Sequence, residues 1–270
     1  MTELKIAIAQ TDSKIMDKEH NVQKAEQILD RIGGEADVVC FPELFTTGYN
    51  FDIIGDAYYE LAETIPGPTV ERLTAKAKQY GIAVLGTIVE KDGEQEGVLY
   101  DTTFVINEKG EYSGKYRKAH LYPTEHRYFR SGSDFPVFDI CGVKAGVAIC
   151  YDHGFGEMFR IMALKGAQVI FIPSAIPKNF EYLLDLRTRA RAQDNQLFTV
   201  AVNRVGAEDD VVYCGNSKIV NPRGEVIHQA GDGEEVLIGT IDLSEITQER
   251  KQEMILRSRR PELYGKLMKA

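Results

Sequence analysis

The spacing of apolar positions along the chain switches repeatedly between two periods, one typical of strands and one typical of helices. Residues 4–10 alternate and then become apolar, as a strand does, and apolar side chains within residues 19–32 recur every three or four positions, as on one face of a helix. A second amphipathic helix is predicted over residues 69–80, and it leads directly into a strand over residues 82–90. Strands and helices that alternate in this way are typical of an α/β fold.

The same alternation continues to the C-terminal region. Further strands are predicted over residues 37–41, 100–106, 111–116, 147–149, 168–172, 197–203, 212–220 and 235–241, and further helices over residues 155–166 and 180–194. Two turns, NEKG and NPRG, each connect two strand-like runs and end in glycine, which predicts two similar halves that face each other. No linker rich in Pro, Gly or Ser separates the halves, so we expect a single domain.

The composition excludes several classes of partner. The 270 residues are 43% hydrophobic and 27% charged, with a formal net charge of -9, so the protein would repel nucleic acids and anionic membranes. We therefore expect small molecules or other proteins as partners. The N-terminal residues lack a basic region followed by a long apolar run, and no stretch reaches the roughly 18 apolar residues of a membrane-spanning helix. These features predict a cytoplasmic protein.

The four cysteines give no sign of a metal site or a disulfide framework. Cys40, Cys141, Cys150 and Cys214 show no CxxC spacing, and the chain contains neither a GxGxxG nor a Walker phosphate loop. No metal and no cofactor are therefore predicted. Three of the cysteines lie in or beside apolar runs and are expected to be buried and unreactive.

Cys150 differs from the other cysteines in its position. The apolar run from Val147 to Ile149 ends abruptly at Cys150, and a polar turn and a glycine-flanked helix follow. Such an elbow presents a thiol at the carboxyl end of a sheet, where ligands of α/β proteins bind. A thiol needs a nearby base or cation to react at neutral pH. His153 is close in sequence, but a turn residue this near often points away, so we expect it to be exposed and not to be the base.

Two other polar residues also follow predicted strands. Glu43 comes after the strand over residues 37–41, and Lys118 comes after the strand over residues 111–116. A carboxylate there could accept the thiol proton, and a fixed positive charge could stabilise an oxyanion or a thiolate. Taken singly, each has an ordinary alternative, a helix-capping glutamate or a surface lysine. Residues 44–66 carry no clear strand and are expected to form a loop or short helix over the site.

Three segments, FPELFTTGY, YRKAHLY and ICYDHGFGE, resemble in order and spacing the signatures of the nitrilase superfamily of carbon-nitrogen hydrolases. The resemblance extends over almost the whole chain and implies a four-layer α-β-β-α sandwich, with one domain over residues 1–270. It implies that Glu43 is the general base, Lys118 the oxyanion-stabilising cation and Cys150 the nucleophile. It also implies that Glu125 holds the substrate and positions the lysine.

The resemblance further implies how the substrate and the subunits are arranged. Tyr49, Tyr151, Ser174 and Ala175 are expected to bind the substrate, within a pocket that the loop from Ser174 to Asn179 helps to line. Members of the superfamily pair through their helical faces, so a homodimer or larger homo-oligomer is predicted. The polar tail, about residues 243–270, is expected to take part in that association.

The elbow sequence CYD favours an amidase that releases ammonia from a small carboxamide through a cysteine thioester. The alternatives, in order, are an N-carbamoyl amine or amino-acid hydrolase, whose elbow often resembles CWD, and a nitrilase. A binding protein without activity is a further alternative from a different class. Neighbouring arginines, Arg187, Arg189 and Arg191, could form an anion-binding patch, but ion pairs with Asp185 and Asp194 on a partly exposed helix face are the simpler prediction.

Overall fold

A computed structural model describes residues 2–269, and the side chains up to residue 267. Met1 and Ala270, which belong to the predicted domain, lie outside the described residues. The strands are β1 (Glu3–Gln10), β2 (Val38–Cys40), β3 (Ala83–Lys91), β4 (Leu99–Ile106), β5 (Tyr112–Arg117), β6 (Val137–Ile140), β7 (Val143–Val147), β8 (Val169–Ser174), β9 (Phe198–Asn203), β10 (Ala207–Glu208), β11 (Val211–Val212), β12 (Lys218–Val220), β13 (Val226–Gln229) and β14 (Glu235–Asp242).

Helices alternate with these strands. They are α1 (Lys18–Ile32), α2 (Phe51–Ile54), α3 (Tyr58–Leu61), α4 (Pro68–Tyr80), α5 (Gly156–Leu164), α6 (Glu181–Asn195) and α7 (Ser244–Gln252). Short 3-10 helices cover Gly55–Ala57, Glu125–Arg127, Cys150–Gly154, Lys178–Phe180 and Pro261–Lys269. In the part of the chain that the structure describes, no helix is both long enough and apolar enough to cross a membrane.

The ends of the long helices follow from local sequence. The Asp17 carboxylate accepts a hydrogen bond from the His20 backbone N–H and so caps the start of α1. Helix α4 begins with Pro68, whose fixed φ suits the first helical position. It ends at Gly81, which has a φ of 65°, a left-handed conformation that glycine adopts without steric cost.

Two six-stranded sheets organise the molecule, in the orders β14-β1-β2-β3-β4-β5 and β13-β12-β9-β8-β7-β6. Each sheet has three neighbouring parallel strands, β1 to β3 in the first and β7 to β9 in the second. Antiparallel strands flank these three on both sides. The two sheets therefore repeat one pattern, in agreement with the two similar halves predicted from the sequence.

The matching turns of the two halves are also alike in detail. In each, an asparagine carbonyl accepts a hydrogen bond from the glycine three residues later, Asn107 from Gly110 and Asn221 from Gly224, both at 2.9 Å. The two glycines have φ values of 71° and 79°. The left-handed backbone at this position explains why glycine ends both turns.

The core has an inner layer between the sheets and an outer layer on each side. Ile6 and Ile8 of β1 pack in one apolar cluster with Val147 of β7, which joins the two sheets face to face. The opposite side of β1 packs against α1 and α4 through residues such as Leu29 and Leu73. Helices α5 and α6 cover the outer side of the second sheet. The predicted four-layer α-β-β-α sandwich is confirmed.

Two strands differ from the prediction. The predicted strand over residues 212–220 is interrupted, because Gly215 and Asn216 have φ values of 59° and 53° that break the extended backbone. Strand β6 was not predicted at all. The segment over residues 44–66 contains the short helices α2 and α3, in agreement with the loop or short helix that the sequence predicted.

Candidate active site

The elbow after β7 holds Cys150 in a strained backbone conformation. Cys150 has a φ of 46°, in the left-handed region that non-glycine residues rarely adopt, and it begins the 3-10 helix Cys150–Gly154. Its side chain is buried, with 8% of the residue surface exposed. Strain of this kind persists only where surrounding contacts fix it, and it is frequent at active sites.

Those contacts come largely from Asp152. Its carboxylate accepts hydrogen bonds from the Ile149 backbone N–H at 2.9 Å and from the Tyr116 hydroxyl at 2.6 Å. It also accepts one from the His120 backbone N–H at 3.0 Å, and the His120 ring lies 2.8 Å away. Because Tyr116 belongs to β5, this carboxylate connects the cysteine elbow to the first sheet.

Glu43 lies at the carboxyl end of β2, as the sequence predicted, and is fully buried. One carboxylate oxygen accepts a hydrogen bond from the Lys118 ammonium at 2.6 Å. The other accepts one from the Ala175 backbone N–H at 2.8 Å. Since Ala175 follows β8 of the second sheet, this bond fixes the glutamate from across the interface between the sheets.

Lys118 directly follows β5 and is also fully buried. Its ammonium group lies 2.5 Å from a carboxylate oxygen of Glu125, which accepts a further hydrogen bond from the Tyr49 hydroxyl, also at 2.5 Å. The other oxygen of Glu125 accepts from the Tyr122 backbone N–H at 2.8 Å. The structure therefore brings Glu43, Lys118 and Glu125 into one connected cluster.

The charges of this cluster are coupled. Burial by itself favours the neutral amine of Lys118, but the charges of Glu125 and Glu43 raise its pKa well above the ordinary value. Burial, together with the charge of Glu43, raises the pKa of the Cys150 thiol, and Lys118 lowers it in part. The resting site thus contains an ammonium group and a protonated thiol, and the thiol must lose its proton to a base in order to react.

Asp101 is a fourth ionisable group in this cluster that the sequence analysis missed. It is fully buried on β4, and both of its carboxylate oxygens lack a hydrogen-bond partner among the described residues. The nearest cation is the Lys118 ammonium at 3.5 Å. Burial and the charge of Glu43 raise the pKa of Asp101 well above its ordinary value, so the group is held as the neutral acid.

The oxygens of Glu43, Asp101 and Glu125 all lie within 4.8 Å of one another, a spacing that could hold a metal ion. The Lys118 ammonium, however, contacts each of these three carboxyl groups within 3.5 Å. A divalent cation at this place would have to displace the lysine. The donor set therefore fits a buried ammonium better than a metal.

A cavity of about 250 Å³ opens beside the cluster. Four predicted site residues line it, namely Tyr49, Cys150, Tyr151 and Ala175. Ser174 does not, and its hydroxyl donates to the Ile172 carbonyl of its own strand. The other lining residues are Tyr122, His153, Ile176, Pro177, Phe180, Leu183 and Arg187. Apart from His153 and Arg187, these are apolar or aromatic.

Two of the lining residues correct the sequence analysis. His153, predicted to be exposed, is only 3% exposed, because the short 3-10 helix turns its ring inward. Burial and the charges of Arg187 and Arg191 lower its pKa to about 3, so the ring is neutral near pH 7. Arg187 lies in the cavity, whereas Arg189 pairs with Asp185 as predicted. The helical spacing of the arginines did not reveal which one faces inward.

Arg191 and the remaining cysteines have structural roles. Arg191 pairs with Asp194 as predicted and also donates hydrogen bonds to the carbonyls of His153 and Gly154, which supports the elbow. Cys40 and Cys214 are buried, as expected, and Cys141 is partly buried rather than fully. Burial raises the pKa of the Cys214 thiol to about 11 and that of Cys141 to about 12, so both are unreactive near pH 7.

Comparison of the chain with known protein families shows the family to which it belongs. The sequence model of the family described as carbon-nitrogen hydrolase matches residues 5–251. The chain belongs to this family, and the resemblance to the nitrilase superfamily is confirmed.

Individual relatives match along nearly the whole chain. Probable nitrilase C965.09 of Schizosaccharomyces pombe is 34% identical over 269 residues, which cover 97% of this chain and 98% of the relative. Omega-amidase NIT2 of Xenopus tropicalis is 36% identical over 265 residues, 92% of each protein.

A solved structure shows the same fold. It is a variant of the amidase from Nesterenkonia sp. AN1, with the acetamide moiety of fluoroacetamide added covalently at its active-site cysteine. It has a TM-score of 0.84 and 26% identity, and it covers 97% of this chain and 96% of that one. Together with the family match, these relatives identify the chain as an amidase-type carbon-nitrogen hydrolase.

Proposed function

We propose that the protein hydrolyses a small carboxamide to a carboxylate and ammonia, through a thioester on Cys150. The observation that carries this proposal is the position of Cys150, on a strained turn where it lines the cavity and adjoins the buried cluster of Glu43, Lys118 and Glu125. Nucleophile, proton acceptor and fixed cation are then all available to one bound amide.

The first half of the reaction forms the thioester. Glu43 accepts the thiol proton as the Cys150 sulfur attacks the amide carbonyl carbon. The negative charge that develops on the carbonyl oxygen is stabilised by the Lys118 ammonium and by the Tyr151 backbone N–H. The protonated Glu43 then donates its proton to the departing nitrogen, the C–N bond breaks, and ammonia leaves.

The second half restores the enzyme. Glu43, again a carboxylate, accepts a proton from a water molecule as the water oxygen attacks the thioester carbonyl. The C–S bond breaks, the carboxylic acid leaves, and the proton returns from Glu43 to the Cys150 sulfur. Glu125 holds Lys118 in place throughout, and Tyr49 holds Glu125. The hydrogen bond from Ala175 keeps Glu43 aligned in both halves.

An amide substrate is supported over the two enzymatic alternatives by the named amidases among the relatives and by the CYD elbow. The covalent adduct in the Nesterenkonia amidase concerns that protein, and it supports a nucleophilic role of the cysteine rather than the thioester itself, because an added acetamide moiety still carries its amide. An N-carbamoyl compound would yield carbon dioxide together with ammonia, whereas a nitrile would yield ammonia without any amide being supplied. These product differences allow one experiment to separate the three reactions.

The experiment compares the wild-type protein with Cys150→Ala after brief mixing with simple amides, N-carbamoyl compounds and nitriles. Ammonia and carbon dioxide are measured, and intact-protein mass spectrometry detects covalent adducts. We expect wild type to release ammonia from amides without carbon dioxide and to carry an acyl adduct. Cys150→Ala should do neither.

The matched control is Cys141→Ala. Cys141 precedes the same strand, β7, that Cys150 follows, and it also has a positive φ of 53°. This variant should behave as wild type does. Carbon dioxide release from N-carbamoyl compounds without ammonia from any amide would overturn the proposal, and so would undiminished turnover by Cys150→Ala.

We also propose that the protein is a homodimer or larger homo-oligomer. Four apolar side chains on α5 and α6 are exposed in the single chain, namely Ile161, Leu164, Tyr182 and Leu186. Leu263, Tyr264 and Leu267, near the end of the predicted tail, are exposed as well. Apolar surface of this extent supports association through the helical face and the tail. Light scattering that gives the molar mass of one chain would contradict this proposal.

A further inference from the structure

A buried ion pair close to the active site takes no part in the proposed mechanism. Glu208, at the end of β10, is buried, and one of its carboxylate oxygens lies 2.5 Å from the guanidinium group of the fully buried Arg204. Strands β10 and β11 form a small sheet of their own, apart from the two six-stranded sheets. Removing two charges from water costs free energy, so the pair needs a structural or a functional reason.

The Glu208 carboxylate holds the backbone of a segment from the other half of the molecule. The Tyr49 backbone N–H donates to both carboxylate oxygens, at 3.1 Å each, and the Asn50 backbone N–H donates to one of them at 2.8 Å. Glu208 follows β9 of the second sheet, whereas Tyr49 follows β2 of the first. The close approach requires glycine at position 48, because a Cβ on Gly48 would lie 2.4 Å from this carboxylate.

Further contacts fix the carboxylate and its partner. The Tyr213 hydroxyl donates to Glu208 at 2.8 Å, and the Tyr213 ring lies against the Arg204 guanidinium group, with 4.2 Å between the ring centroid and Cζ. Arg204 also donates at 2.9 Å to the carboxylate of Asp12, which follows β1. Glu208 is therefore held in one place, and residues 48–50 are held with it.

We propose that Glu208 is a positioning residue, which holds the backbone of residues 48–50 and so sets the place of the Tyr49 hydroxyl. Through that hydroxyl it acts on Glu125 and Lys118, and the inference therefore rests on the proposed function. The Tyr49 hydroxyl and the Lys118 ammonium both contact the same oxygen of Glu125 at 2.5 Å. A displacement of Tyr49 would consequently reach the cation that stabilises the oxyanion.

The simpler alternative is that Glu208 only compensates the charge of Arg204. The two roles place different demands on the carboxylate. Compensation requires a negative charge anywhere within ion-pair distance of the guanidinium group, whereas positioning also requires that the carboxylate reaches the Tyr49 and Asn50 backbone. Aspartate keeps the charge but is shorter by one methylene group. Glu208→Asp therefore separates the two roles.

The test compares kcat and KM of wild type and Glu208→Asp with propionamide, a small neutral amide. We expect kcat to fall about tenfold and KM to change by less than about threefold, because a displaced Lys118 affects the transition state more than substrate binding. Tyr49→Phe, which lacks the hydroxyl, should lose about as much. Glu208→Asp combined with Tyr49→Phe should lose little more than either change alone, since both break the same chain of contacts.

The matched control is Glu26→Asp, the same change at another glutamate that pairs with an arginine. Glu26 on α1 lies 2.5 Å from Arg72 of α4, in the outer helical layer. This variant should keep the wild-type kcat and KM. A wild-type kcat in Glu208→Asp would overturn the inference. Losses that multiply in the combined variant would also overturn it, because a smaller folded fraction acts independently of Tyr49.

A second variant decides the question if Glu208→Asp does not fold. Tyr213→Phe removes only the hydroxyl that donates to Glu208 and keeps the ring against Arg204. We expect kcat to fall about threefold in this variant, and to fall no further than in Tyr49→Phe when the two changes are combined. An unchanged kcat in Tyr213→Phe would overturn the inference.

Alkylation of Cys150 separates failure of this inference from failure of the proposed function. Burial raises the pKa of the Cys150 thiol and the Lys118 ammonium lowers it in part, so a displaced lysine should slow the reaction of the thiol with iodoacetamide. Peptide mass spectrometry follows this reaction, with Cys150→Ala as the blank.

The outcomes are then distinct. If wild type and Glu208→Asp hydrolyse amides with the same kcat, the inference fails and the proposed function stands. If no amide is hydrolysed, the proposed function fails, and alkylation decides this inference alone. Alkylation of Cys150 that is about fivefold slower in Glu208→Asp than in wild type would then support the inference, and an unchanged rate would overturn it.

Discussion

The buried cluster and the adjoining cavity differ in almost every physical property, although Cys150 lines the cavity and adjoins the cluster. The cluster contains Glu43, Lys118 and Glu125, which are fully buried and connected by hydrogen bonds of 2.5 to 2.6 Å. The cavity is mainly aromatic and apolar, and its one charged group, Arg187, has no partner in the described residues. Glu43, Lys118 and Glu125 each have an oppositely charged partner in the absence of substrate. Arg187 in the cavity has none among the described residues.

This difference separates the chemistry from the choice of substrate. Removing one member of a buried, paired cluster leaves an uncompensated charge, so substitutions there should damage the reaction for every substrate. Substitutions in the cavity should instead change which amide is used. The predictions that follow test this separation, beginning with the largest expected effect.

The cluster side of the comparison is tested by Glu43→Gln. Glutamine keeps the size of the side chain and can still accept the Ala175 hydrogen bond, but it cannot take up the thiol proton. We expect kcat/KM to fall about 1,000-fold for all amides, charged or neutral. Ammonia release measures the rate, and thermal melting confirms that the variant is folded.

The control for this prediction is Glu96→Gln, an exposed glutamate in the loop between β3 and β4. It should keep wild-type kcat/KM. Retention of more than about a tenth of the activity by Glu43→Gln would show that another group accepts the proton.

The next prediction concerns His153, which lines the cavity, and is tested through the pH dependence of the stability of the fold. The native pKa of His153 is about 3, compared with 6.5 as its ordinary value, so between these values the unfolded chain binds a proton that the native chain does not. Stability is therefore lost as the pH falls below 6.5, by about 3 kcal/mol at pH 4.5 from this group. His153→Gln, which cannot titrate, should lose that much less between pH 7 and pH 4.5 in urea unfolding.

The measurement compares how the free energy of unfolding changes with pH in the two proteins. A loss of stability in His153→Gln that is the same at every pH therefore does not affect the comparison. His120→Gln is the control, because His120 is partly exposed and contacts Asp152 rather than lining the cavity. An identical loss of stability on acidification in wild type and His153→Gln would show that His153 does not titrate as a buried neutral ring.

The smallest expected effect concerns Asp101, which lies inside the cluster and has no hydrogen-bond partner among the residues that the structure describes. Asparagine has the shape of the neutral acid, so Asp101→Asn should retain kcat/KM within about tenfold at pH 7, unlike Glu43→Gln. Its effect on stability depends on pH. Because the native pKa of Asp101 is raised, the native chain binds more protons than the unfolded chain above the ordinary pKa, and wild type loses stability as pH rises.

The melting temperature of Asp101→Asn should consequently increase relative to that of wild type as the pH is raised. Thr103→Val, a change on the same strand at a hydroxyl that bonds to the Thr87 hydroxyl rather than to an ionisable group, is a control that should show no such pH dependence. A difference between Asp101→Asn and wild type that stays constant with pH would mean that Asp101 is ionised in the native protein.

Much of the scaffold could be predicted from local patterns. The spacing of apolar residues predicted most strands and all the long helices. An element that is buried on one face, or on both, has apolar residues at a spacing that is visible in the sequence. Strand β6 was missed because four residues before a turn carry too little periodicity. The strand over residues 212–220 was overextended because apolar character does not reveal a left-handed backbone at Asn216.

The site was predictable in part for a different reason. Glu43, Lys118 and Cys150 each follow a strand, where ligands of α/β proteins bind. Strands β2 and β5 run in the same direction in the first sheet, which brings Glu43 and Lys118 to one edge, whereas Cys150 follows β7 of the second sheet and meets them only because the two sheets pack together. Asp101 lies within β4 and has no such signal in the sequence. The direction of Arg187 and the burial of His153 depend on how α6 packs against the elbow, which a single sequence does not specify.

The sequence by itself determined the family, the α/β class and the candidates for the principal reactive groups, because these depend on residue type, order and local spacing. Tertiary structure alone decided that two sheets meet so that Ala175 fixes Glu43, that Lys118 is paired on several sides, and that one arginine of three faces the cavity. These features depend on contacts between residues far apart in the chain, and such contacts exist only when the four layers are packed together.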